Sequence, residues 1–92
     1  MAVTVRIPTT LRTLTGGQSQ VSLEGSNVRD VIGNLDGAHP GFADRLLDDD
    51  GNLRRFVNVF VADEDIRFLD GLETPLEEGT TVSIIPAVAG GQ

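Results

Sequence analysis

One stretch of this 92-residue chain repeats its apolar residues at helical spacing, while four others repeat theirs at every second position. The helical stripe is Val28, Val31, Ile32 and Leu35, at i, i+3, i+4 and i+7. Ser26 or Asn27 in front of it can cap a helix, and Gly37 and Pro40 bound its far end. Around it, Val3 to Ile7, Gln20 to Glu24, Val57 to Val61 and Thr81 to Ile85 alternate with the period of strands. Turns are expected at Gly16-Gly17, at Asp63-Glu64-Asp65 leading into a short strand Ile66-Arg67-Phe68, and at Glu78-Gly79. Pro8 to Gly17 is long enough to be a loop, and Leu69 to Leu76 looks irregular. Phe42, Leu46 and Leu47 can add one more apolar turn before Asp48-Asp49-Asp50-Gly51-Asn52, which is too polar to be anything but an exposed loop. Pro86 ends the last strand, since it has no N–H to give a ladder.

A single helix laid across one face of a mixed sheet of four to five strands buries every one of these stripes. That is the α+β arrangement known as the β-grasp, or ubiquitin-like, fold. It places Val5, Ile7, Val21, Leu23, Val31, Ile32, Leu35, Val57, Val59, Val61, Val82 and Ile84 in the core. Alternation then turns Phe60 and Ile85 to the opposite face, where no second helix is left to cover them. They form a partner surface unless loop residues such as Leu11, Leu14 or Phe68 fold over them. The division is a domain over 1–86 and a tail over 87–92, Ala87-Val88-Ala89-Gly90-Gly91-Gln92, whose side chains are too small to anchor it and which is expected to be mobile.

A chain this short buries only about 60–65% of its unfolded surface, so a deep multi-residue cleft is not expected. The absence of cysteine removes disulfides, thiolate metal sites and a cysteine nucleophile together, and makes the cytoplasm the expected compartment. No basic leader and no run of roughly 20 apolar residues point to export or to a membrane span. Fourteen acidic residues outnumber seven basic ones, a formal charge of −7, so nucleic acid is an unsuitable partner and basic surfaces are suitable ones. All seven basic residues are arginines, so the chain carries no lysine for isopeptide links of its own.

The tail is the feature whose chemistry needs its particular residues. Two glycines lack Cβ, so the chain can thread a narrow channel, and nothing crowds the terminal acyl carbon under attack. From Ala87 to Gly91 the tail spans roughly 17 Å when extended, enough to enter another protein's active site.

Leu76-Glu77-Glu78-Gly79-Thr80-Thr81-Val82-Ser83-Ile84-Ile85-Pro86 and the following Ala87 to Gly91 resemble the closing segment of the small ubiquitin-like sulfur carriers (ThiS/MoaD-like). That family includes the thiamine carrier, the small subunit of molybdopterin synthase and a cysteine-forming carrier of actinobacteria. Val3 to Pro8, Leu11-Arg12 and Thr15-Gly16-Gly17 are similar to the start of the cysteine-forming branch, and Arg55 to Val61 followed by Asp63 to Phe68 to its middle. The resemblance implies a carrier that is not itself an enzyme, binds no cofactor and has no catalytic residues. An adenylating and sulfurtransferase enzyme uses ATP to join Gly91 to AMP, and a sulfur donor then leaves a thiocarboxylate there. It further implies a pyridoxal-phosphate (PLP) dependent cysteine synthase as the sulfur acceptor's holder and a zinc metallopeptidase that releases the cysteine formed. A modifier joined to lysines of other proteins, or sulfur supply for molybdopterin, thiamine or thiosugars, would use the same tail. Two positions depart from the family pattern: Thr80 stands where many relatives have aspartate, and Gln92 follows Gly91. The second locks the reactive carboxylate in a peptide bond, so either a peptidase cuts between Gly91 and Gln92 or Gln92 is foreign to the natural chain.

The remaining signals are weaker. His39, alone of its kind and without cysteine nearby, cannot build a zinc site and is expected in an exposed loop. Aligning Gly51 with the glycine of an EF-hand puts Leu46 and Val57 at ligand positions, which rules that motif out. An iron–sulfur ferredoxin needs thiolates that this chain lacks.

Overall fold

A computed structural model of the chain describes residues 2–86. Over them run β1 (Ala2–Arg6), β2 (Gln20–Glu24), α1 (Val28–Ala38), α2 (Phe42–Leu46), β3 (Val57–Val61), β4 (Glu64–Asp65) and β5 (Thr81–Pro86), with 3-10 turns at Thr9–Thr15, Ile66–Phe68 and Gly71–Glu73. The strands form one mixed sheet in the order β2-β1-β5-β3-β4. β1 and β5 are parallel, and the other pairs are antiparallel. With α1 across one face, this is the β-grasp fold expected from the stripes.

α1 starts where its cap requires. The Asn27 side chain accepts the Asp30 N–H at 2.8 Å, and the Ser26 hydroxyl donates to the Asp30 carboxylate at 2.8 Å. Gly25 lets β2 and α1 come close, because a Cβ there would run into the Val31 side chain and backbone. The far end differs from expectation: Gly37 lies inside α1, which runs on to Ala38. The left-handed turn falls at Gly41 (φ +112°), and the Asp36 carboxylate accepts the N–H groups of Gly41 and Ala43 at 3.0 Å each. Asp36 thereby ties α2 onto α1, a side-chain hinge that spacing alone does not show.

The core holds eleven of the twelve residues placed there from the sequence; Leu23 is only partly buried, because β2 is an edge strand. Phe42 and Leu46 on α2 are fully buried, as are Val3 and Val28, and Leu11, Ile66, Leu72 and Leu76 join them. The segment 8–17 is more ordered than a plain loop: a 3-10 helix puts Leu11 inward and stops at Gly16 (φ +68°). Leu72 to Leu76 docks beside the cap of α1, with the Leu76 N–H donating to Ser26 O at 2.9 Å.

The hairpin after β3 also differs. Val61 pairs with Glu64, so the turn residues are Ala62 and Asp63, and Ile66-Arg67-Phe68 is a 3-10 turn instead of a strand. Arg67 causes this, its guanidinium reaching back to Asn58 Oδ1 (2.7 Å), Val57 O (2.8 Å) and Arg54 O (3.0 Å). A two-residue hairpin needs positive φ at both positions, here +51° and +75°. Ala62 pays a steric cost that glycine avoids, so Ala62→Gly is expected to raise stability by up to about 1 kcal/mol. Urea unfolding checks this through a higher midpoint at constant slope.

Candidate functional site

The site is the place where β5 leaves the sheet, and its shape follows from strand register. β1 pairs with β5 only through Thr4↔Thr81, Val5↔Val82 and Arg6↔Ser83, whereas β3 stays paired as far as Val57↔Pro86. Ile84, Ile85 and Pro86 therefore outrun β1, which has turned away at Pro8 into the Thr9–Thr15 helix. The space left over is a cavity of about 560 Å³ whose lining includes Arg6, Arg12, Ser19, Gln20, Ile85 and Pro86. Arg12 is held in its wall: its Nε donates to Ile7 O at 3.0 Å, and Arg12 O accepts the Gly17 N–H at 2.7 Å.

The uncovered face of the sheet continues from this cavity. Register places Gln20, Arg6, Ser83, Phe60 and Asp65 in one row across it. Ile85, opposite Asn58, lies one step nearer the tail and diagonal to Phe60, a spacing of about 7–8 Å that an aromatic side chain can span. Ile85 is 48% exposed and Phe60 half-buried. Phe68 is 85% exposed, and Leu11 and Leu14 pack with the core. The tail residues Ala87, Val88, Ala89, Gly90, Gly91 and Gln92 lie outside the described residues.

His39 ends α1 instead of sitting in an open loop. It is half-buried, and its N–H donates to Leu35 O at 2.7 Å. The acidic loop is held by its own side chain, Asp48 Oδ1 accepting from the N–H groups of Asp50 (2.9 Å) and Asn52 (3.0 Å). Among the described residues no cluster of three or more metal-ligating side chains occurs, and no helix is long and apolar enough to cross a membrane. Sequence reasoning passed over Arg6 and Arg12. The available signal was that Arg6 occupies an outward position of β1, where it pairs with Ser83 of the strand that leads into the tail.

The comparisons agree with this geometry. Sulfur carrier protein CysO of Mycobacterium tuberculosis is 50% identical over 93 residues, covering 99% of this chain and 100% of the relative. The crystal structure of the Amycolatopsis orientalis BexX/CysO complex contains a chain that superposes with a TM-score of 0.91 at 48% identity, covering 97% of this chain and 99% of that one. Small archaeal modifier protein 3 of Haloferax volcanii is 39% identical over 66 residues, 72% of this chain and 71% of the relative. The model of the ThiS family matches residues 5–91, from the first strand through the glycine pair, and the chain therefore belongs to the ThiS family.

Proposed function

We propose that this chain is a cytoplasmic sulfur carrier whose reactive atom is the acyl carbon of Gly91. The supporting observation is the pairing of a Gly-Gly tail with the central strand of the sheet, in a chain that is 50% identical to a sulfur carrier protein. The domain contributes a holder and a docking face, and enzymes contribute the catalysis.

The chemistry follows from the end group. A carboxylate is a poor electrophile, so an adenylating enzyme first joins it to AMP from ATP with release of pyrophosphate. A sulfur donor then attacks the acyl carbon and expels AMP. The resulting thiocarboxylate is ionised at neutral pH and is a soft nucleophile, for the reason that thiolates outreact thiols. Phe60 and Ile85 give the adenylating enzyme an apolar contact beside the tail. In the cysteine-forming branch, sulfur displaces the leaving group of an activated serine derivative on a PLP-dependent cysteine synthase. The acyl group then shifts from sulfur to nitrogen, and a zinc metallopeptidase hydrolyses the new amide. The same kind of peptidase is suited to cutting Gly91 from Gln92 beforehand.

Intact mass tests this. The chain ending at Gly91, given ATP, the adenylating enzyme and sulfide, should gain the difference between one sulfur and one oxygen; an unaltered mass overturns the carrier reading. The likeness to a small archaeal modifier protein favours a second reading, conjugation of Gly91 to lysines of other proteins. That reading requires high-mass adducts in a lysate of the native cell, whereas a carrier stays free.

A further inference from the structure

We infer that Arg6 and Arg12 form a cationic clamp at the root of the tail, and that its occupant is an acidic segment, aspartate or glutamate side chains, of the adenylating enzyme. The inference rests on the carrier reading in one respect, that such an enzyme engages the tail.

Charge distribution is the first support. The chain carries fourteen aspartate and glutamate side chains and a formal net charge of −7, yet none of those side chains lines the 560 Å³ cavity, which holds two arginines. Arg6 has only uncharged cross-strand neighbours, Gln20 on β2 and Ser83 on β5. Among the described residues, Arg6 makes no ion pair or side-chain hydrogen bond, and Arg12 uses only Nε, toward Ile7 O. Their remaining guanidinium donors are matched to carboxylates in fork geometry. Of the other arginines, Arg29 pairs with Glu73 at 2.7 Å, Arg54 donates to Asp44 O at 3.1 Å and Arg67 brackets residues 54–58, whereas Arg45 and Arg55 stand exposed away from the cavity.

Placement is the second support. The cavity also contains Ile85 and Pro86, the last described residues before the tail, so a partner that contacts this end of β5 meets the two cations there. On a strongly negative chain, a local cationic spot gives orientation as well as attraction. An acidic segment is repelled by most of this surface and accepted beside the tail.

The test is equilibrium binding of the full chain to the adenylating enzyme of the same organism at low and high salt. Arg6→Glu should weaken binding about tenfold or more at low salt and flatten its salt dependence. Arg6→Lys should retain most of the affinity. Arg45→Glu, an exposed position on α2 beside α1, should change it less than about threefold. Arg12→Gln, which gives up the contact to Ile7 O, should weaken binding in the same sense; circular dichroism checks its fold. Equal affinities for Arg6→Glu and Arg45→Glu overturn the clamp and leave the carrier reading intact. Absence of binding by the unaltered chain overturns both. If deleting Gly90 to Gln92 shifts the Arg6 and Arg12 guanidinium resonances of the isolated protein, the chain's own carboxylate is the occupant, and the inference falls.

Discussion

Given ATP, the adenylating enzyme and sulfide, the chain with Gln92 in place should stay at its starting mass over the time in which the chain ending at Gly91 is converted. The two differ by one residue, and the difference is geometric as well as chemical. Gln92 moves the free carboxylate about 3.5 Å further along an extended tail. A displacement of about 1 Å from the reacting position already costs around 10²-fold in rate, so a loss beyond that is expected. Glutamine also puts a Cβ and a polar side chain beside the acyl carbon, where glycine leaves both faces open. Mass spectrometry of time points measures the ratio directly. Equal conversion of the two forms would show that the enzyme reads the end of the chain without regard to Gly91, and the proposed reactive atom would be wrong.

Phe42→Ala should remove roughly half of the protein's folding stability. Phe42 is fully buried at the junction of α1 and α2, and truncating such an aromatic costs about 3–5 kcal/mol through lost transfer energy and the cavity left behind. The whole stability of a domain of this size is about 5–10 kcal/mol. The expected fall in Tm is roughly 15–30 °C by calorimetry. A loss below about 1 kcal/mol would mean that α2 closes over the gap, and that it contributes little to the core it caps.

Much of the fold was legible because its signals are periodic. The stripes on β1, β2, β3, β5 and α1 each state which face is buried, and four of these strands and the helix appear within one or two residues of expectation. What escaped is side-chain contact from one element to the backbone of the next. Nothing local in Phe42-Ala43-Asp44-Arg45-Leu46 shows that Asp36 will accept two of its turn's N–H groups and fix it to α1. Ile66-Arg67-Phe68 has strand composition, but the hydrogen bonds of Arg67 to residues 54–58 win over local preference. The site divides in the same way. Phe60 and Ile85 follow from alternation, whereas the cavity beside them exists because β1 ends three residues before β5, a fact of register.

The sheet order carries a consequence for synthesis. β5 is the middle strand but the last to leave the ribosome, so the earlier strands wait as separate pieces, β1 with β2 and β3 with β4, until it inserts between them. Nothing firm carries the C-terminal glycines before that insertion. An enzyme that demands the folded face together with the tail would thus ignore unfinished or misfolded copies.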